Sequence, residues 1–166
     1  VLYLGINQND KLNAQEKLPL AKQLLRFNKP KQALKLISES STDAGNSEAY
    51  FRMYAKILIR LHKFEEAIGI MKKAAQFSSA PSLFMDIAYC YELSGKMKES
   101  EKFLLLVANM VPTNYPSHFK LMKLYEKNNE QYKRLAMAHE ILSLPERPNN
   151  KETSMFRILA AKTIQR

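Results

Sequence analysis

The sequence predicts an all-α fold: about four antiparallel helix pairs in a row, closed by one further helix. Three observations predict it. The chain has only 4 glycines in 166 residues and is dominated by Lys, Leu, Ala, Glu, Met and Gln, residues that lose little rotamer freedom in a helix. Short turn signals recur at Asn28-Lys29-Pro30, His62-Lys63, Gly95-Lys96 and Asn129-Glu130, at intervals of 34, 33 and 34 residues, a period that marks stacked repeats. Between them, apolar residues return with the three- and four-residue spacing of one helical face.

The first pair, residues 14–46, carries Lys17, Leu20, Ala21 and Leu24, then Ala33, Ile37 and Ser40. The second, 47–80, repeats this as Phe51, Tyr54, Ala55 and Leu58, then Ala67, Met71 and Ala74. The third, 81–113, is the clearest: Phe84, Ile87, Ala88 and Tyr91, then Ser100, Leu104 and Val107. Gly95 lies between its helices and is expected to take the left-handed conformation of a C-terminal cap. Ser100 is small enough to let two helices approach closely, and Pro112 ends the unit. The fourth, 114–147, offers His118, Leu121, Met122 and Tyr125, then Arg134, Ala138 and Ile141. The outer pairs fit less well than the middle two, as expected where an end repeat has a neighbour on one side only.

After the loop from Pro145 to Asn150, residues 151–166 place Met155, Ile158, Leu159 and Ile164 on one side and basic residues on the other. This segment reads as a helix capping the last pair, with a free amphipathic membrane anchor as the alternative.

These residues resemble the tetratricopeptide repeat over positions 15–145. That pattern places a bulky aromatic, a Leu, a small residue and a Tyr on the first helix, then Ala, an aromatic and Ala on the second, followed by Pro. The chain departs from it in having no Trp, in Arg134 where Ala is usual, and in Met71 and Leu104 where an aromatic is usual. The resemblance implies a single domain, 1–166, coiled as a right-handed superhelix with the first helices lining a concave face.

On that geometry Lys22, Lys56, Tyr89 and Lys123 occupy equivalent places, and Arg26, Arg60, Leu93 and Lys127 follow one turn later. Arg52, Met85 and Phe119 fall one turn before. The set forms a basic stripe with apolar contacts at its middle, suited to an acidic or extended protein or peptide partner. Tetratricopeptide domains that clamp a terminal carboxylate use an Asn in the groove; here the middle pairs offer Met53 and Asp86, so no such clamp is expected.

With 26 basic and 16 acidic residues, the formal net charge is +10, which favours an acidic partner without selecting one. No apolar stretch approaches the length of a membrane span; the run from Phe103 to Met110 is far too short. The opening Val1-Leu2-Tyr3-Leu4-Gly5-Ile6 lacks the basic flank of a signal peptide and an initiator Met, so a piece of a longer protein is expected.

Cys90 is the sole cysteine and reads as a buried small hydrophobe. His62 falls in a turn and is expected to be solvated; His118 replaces an aromatic and is expected to be partly buried. Together with His139, these histidines lack metal-ligand spacing. Glu65, Glu66, Glu99 and Glu101 read as solvated helix starts. Phosphate loops, nucleophile elbows and paired Glu–His motifs are missing, so neither catalysis, metal nor cofactor is expected. Helical repeats that read RNA base by base need recurrent polar readers; the columns Lys-Lys-Tyr-Lys and Arg-Arg-Leu-Lys lack them, leaving only non-specific phosphate attraction.

A narrower likeness runs through Ala88-Tyr89-Cys90-Tyr91-Glu92-Leu93-Ser94-Gly95, Met110-Val111-Pro112-Thr113-Asn114-Tyr115-Pro116, Lys123-Leu124-Tyr125 and Met137-Ala138-His139-Glu140-Ile141-Leu142. Over residues 45–150 the chain resembles the soluble tetratricopeptide tail of bacterial O-antigen ligase/polymerase-like membrane proteins. That implies a domain of surface-polysaccharide assembly tethered to the inner membrane, with any glycosyl-transfer residues elsewhere. The alternative is a free-standing cytoplasmic adaptor for an acidic peptide.

Overall fold

The computed structural model describes residues 12–39, 47–147 and 149–165. Among these the chain forms nine α-helices and no strand: α1 (Ala14–Arg26), α2 (Pro30–Ser38), α3 (Glu48–Arg60), α4 (Phe64–Ala74), α5 (Pro81–Leu93), α6 (Met97–Met110), α7 (Tyr115–Lys127), α8 (Gln131–Ser143) and α9 (Lys151–Ile164). They divide into two compact units, one ending at Ser78 and holding α1–α4, the other starting at Ser79 and holding α5–α9. The expected Ser40 position and the opening Val1–Ile6 stretch lie outside the described residues.

The periodic turn signals have one physical cause. Asn28, His62, Gly95 and Asn129 all adopt positive φ, between 55° and 77°, and each ends the first helix of its pair. The following residue, at Lys29, Lys63, Lys96 and Glu130, donates its N–H back to the carbonyl of Leu24, Leu58, Tyr91 and Tyr125, at 2.9 Å in every case. The left-handed residue itself donates to Leu25, Ile59, Glu92 and Glu126. This is a Schellman cap repeated four times. Helix starts are less uniform. Asn13 and Glu16 form a reciprocal capping box, while Ser47, Asn114 and Asn150 each accept one backbone N–H.

In the unit ending at Ser78, Ala21 and Ala33 are fully buried in one core with Ile37, Tyr50 and Ile57. Their small size lets α1 and α2 approach closely, as the repeat pattern requires. The Tyr50 hydroxyl donates to the Ile37 carbonyl at 2.6 Å, joining the first pair to α3. Ala55 and Ala67 hold the equivalent buried places in the α3–α4 pair.

In the second unit, Ser100 takes the place of Ala67 and is fully buried. Its hydroxyl has no hydrogen-bond partner among the described residues. Arg134 stands where Ala is usual; its guanidinium turns to the Glu126 carboxylate at 3.4 Å and leaves Nε unpartnered. Glu101 corrects the sequence reading. It is no solvated helix start: half-buried, it accepts from the Tyr125 hydroxyl at 2.9 Å and from Lys133 at 3.0 Å. Glu65, Glu66 and Glu99 do occupy first helical turns.

α9 packs on α8, but not through the side the sequence favours. Thr153, Phe156 and Ala160 are its buried residues, with Ile164 partly buried, whereas Met155, Ile158 and Leu159 are 49%, 55% and 37% exposed. Both sides of the helix are apolar, so bulk hydrophobicity does not reveal which one docks. Two specific contacts decide it. Phe156 stacks on Phe119 with ring centroids 4.4 Å apart. Arg157 donates to the Leu142 and Leu144 carbonyls, each at 2.9 Å, and to Glu146 at 3.1 Å, capping the end of α8.

Candidate partner-binding surface

In the unit ending at Ser78, α1 packs beside α3. Lys22 and Arg26 follow one another by a turn on α1, and Lys56 and Arg60 do the same on α3. All four are exposed, and none pairs with a carboxylate among the described residues. One helical turn rises about 5.4 Å, so each pair of cations is one turn apart along its own helix. Arg52 differs: it is half-buried and bonds the Glu48 carboxylate at 3.1 Å. Glu48 also accepts from the Ser78 hydroxyl, and that bond, with the Arg52 guanidinium, holds its carboxyl below the ordinary carboxylate range.

In the second unit the corresponding residues are occupied by neighbours. Lys123 pairs with Glu126, and Lys127 on α7 pairs with Glu92 on α5. Tyr89 is 43% exposed, with the Lys120 ammonium 5.3 Å from its ring centroid. Met85 and Phe119 are partly buried against the helical core, Phe119 being committed to Phe156. Leu93 is half-buried.

Two residues beside these positions escaped the sequence reading. Lys120 lies three residues before Lys123 and covers Tyr89, a cation–π geometry that no single helix column reveals. Phe27, directly after Arg26, is 65% exposed at the C-cap of α1; a large ring left in water after a basic residue was the available signal.

Other candidate chemistry resolves into structure. Cys90 is fully buried, and burial pushes its thiol up to about 11, far from the range of a reactive thiolate. His118 is buried, and its Nδ1–H donates to the Asn114 carbonyl at 2.8 Å, leaving Nε2 3.6 Å from Glu140. His62 is exposed. Among the described residues no three His, Cys, Asp or Glu side chains gather as a metal site, and no helix is long and apolar enough to cross a membrane.

Residues 7–74 match the family model described as anaphase-promoting complex, cyclosome, subunit 3, which is less than half the chain. No curated protein matches the sequence. Among solved structures, MamA (residues 41 to the end) from Desulfovibrio magneticus RS-1 is similar with a TM-score of 0.67 at 14% identity, covering 92% of this chain and 91% of that one. YrrB, a TPR protein with an unusual peptide-binding site, is similar with a TM-score of 0.63 at 11% identity, over 92% and 78%. The APC/C hetero-tetramer Cut9-Hcn1 is similar with a TM-score of 0.65 at 12% identity, over 90% of this chain and 30% of that one. At such identities the likeness establishes the fold, an all-α helical repeat of tetratricopeptide type.

Proposed function

We propose that this chain is a non-catalytic scaffold that binds an acidic, extended segment of a protein partner, with α1 and α3 as its principal contact. The observation that carries this is the contrast between the two basic sets. Among the described residues Lys22, Arg26, Lys56 and Arg60 are exposed with no carboxylate paired to them, whereas Lys123 and Lys127 are already neutralised by Glu126 and Glu92. A cation with no partner keeps its full attraction for an incoming carboxylate, while a paired one must first give up its own. Peptide binding in YrrB and subunit assembly in Cut9-Hcn1 support a protein partner for a fold of this type.

Met85, Tyr89 and Leu93 on α5, with Phe119, Lys123 and Lys127 on α7, form a second and weaker patch in this reading. Its lysines are exposed but paired, and its Tyr89 ring supplies area rather than charge. The test is fluorescence anisotropy with a labelled ten-residue Asp/Glu peptide (about ten residues, one anion each) at two salt concentrations. Binding that weakens steeply with salt supports the proposal; no binding at low salt defeats it.

The wider context is that of a soluble domain tethered to a bacterial inner membrane in surface-polysaccharide assembly. It rests on the likeness of residues 45–150 to O-antigen ligase-like tails. Sequencing the parent gene tests it: a run of hydrophobic spans before Val1 supports the tether, and a short gene without them favours a free-standing cytoplasmic adaptor. Non-specific nucleic-acid binding is the remaining rival. A generic single-stranded oligonucleotide that binds as tightly as the acidic peptide at low salt would favour it.

A further inference from the structure

The solvent face of α6 differs from that of the other second helices. Ser100, Leu104 and Val107 are buried, while the exposed residues of the helix are Lys98, Lys102, Leu105, Leu106, Asn109 and Met110. At about 100° per residue these six share an arc of about 140°. Along it the character changes from basic to apolar. Two lysines stand one turn apart, and Leu105, Leu106 and Met110 follow at 38%, 40% and 40% exposure.

The other pairs show that the fold does not require this. By the repeat period, the places of Leu105 and Leu106 are held by Ser38 and Glu39 at the end of α2, by Lys72 and Lys73 in α4, and by His139 and Glu140 in α8, all exposed. Packing within a pair is satisfied by polar residues there, so adjacent leucines in α6 answer to a contact outside the pair.

The charges indicate its chemistry. Lys98 and Lys102 form no ion pair among the described residues. Glu130, whose carboxylate feels Lys98, is bonded to Lys133 at 2.7 Å, and Glu99, at the edge of the arc, is half-buried. An apolar patch with cations at one end complements acids followed by aliphatic side chains. Because the apolar residues are less than half exposed, they offer area to a packed helix rather than anchors to a bilayer.

We infer that this face of α6 docks an amphipathic helix of a partner protein, acidic over Lys98 and Lys102 and aliphatic over Leu105, Leu106 and Met110. From Lys98 to Met110 the face runs about 18 Å, so the docked segment is about three to four turns long. The contact is small, and its affinity falls near about 100 µM. It is independent of the acidic-segment contact proposed on α1 and α3.

A labelled helical peptide of about fourteen residues tests it by fluorescence anisotropy, with two Glu one turn apart and three Leu in the following two turns. Saturable binding to the whole chain is expected below about 1 mM. Leu105→Lys with Leu106→Lys, which gives α6 the residues of α4, should weaken binding at least about tenfold with helical circular dichroism unchanged. Those lysines add attraction for the peptide's acids, so a loss reports the apolar contact. Lys102→Glu should weaken binding about tenfold, and exchanging the peptide's two Glu for Lys should restore it for that variant. Lys22→Gln with Lys56→Gln should leave the affinity within about twofold; a larger loss places the peptide on α1 and α3 and overturns the inference. No saturation below about 1 mM, indifference to the paired Leu→Lys change, or failure of the charge exchange overturns it as well. So does binding to phosphatidylglycerol vesicles that the paired Leu→Lys change abolishes, which would assign the face to a lipid surface.

Discussion

The four left-handed residues that end α1, α3, α5 and α7 are one asparagine, one histidine, one glycine and another asparagine, and they do not cost the same. An L-residue with a Cβ pays roughly 1–2 kcal/mol in this region, Asn less, Gly none. His62, at φ 58°, is the costly one. Replacing it with Gly should raise stability by about 0.5–1 kcal/mol, since relief of strain exceeds the added freedom of the unfolded chain. Gly95→Ala should lower stability by about 1 kcal/mol. A Cβ at Gly95 meets no atom within 4 Å, so that loss is torsional, not steric. Urea denaturation of both variants checks the pair of signs. Ser100→Ala should stabilise by about 1 kcal/mol, because it removes a buried hydroxyl that has no partner among the described residues.

The same scale carries a pH dependence. The Glu48 carboxyl is held low in the folded state by Ser78 and Arg52. A group with a lowered folded pKa contributes stability above its unfolded value and loses it as pH falls through the folded value. The contribution is therefore present at neutral pH and lost below about pH 4. Ser78→Ala should shrink the difference between urea midpoints measured near pH 6 and near pH 3. An unchanged difference would show that the Ser78 bond does not hold the carboxyl.

At the scale of elements, the positions of the helices were legible in the sequence wherever backbone geometry left a residue signature. The turn signals at Asn28, His62, Gly95 and Asn129 are C-caps, and the Ala columns are close helix contacts; both demand particular residue types. The docking side of α9 was not legible. Phe156 against Phe119 and Arg157 on the carbonyls of α8 are individual contacts, while Met155, Ile158 and Leu159 give the stronger apolar signal on the opposite side. Glu101 was misread for a similar reason: its partners Tyr125 and Lys133 lie 24 and 32 residues away. Arg157→Ala leaves the last carbonyls of α8 without their donor and should cost about 2 kcal/mol. Hydrogen exchange should locate the loss in α8 and α9. Equal loosening in α5 and α6 would contradict the assignment of Arg157 as the clasp of this helix.

At the scale of the whole molecule, a net charge of +10 draws anions of every kind, so affinity for an acidic probe alone does not locate a site. The sequence identified the basic columns but not their pairing, because carboxylates such as Glu92 and Glu126 reach the lysines only through the fold. The pairing makes the two proposed patches unequal. The direct measurement is the anisotropy titration of the acidic peptide against two matched double variants, Lys22→Gln/Lys56→Gln and Lys123→Gln/Lys127→Gln, at equal ionic strength. Each removes two charges, so the general attraction falls equally in both. The account predicts a loss of at least about tenfold for the first and less than about twofold for the second. Equal losses, or a larger loss in the second, would contradict it.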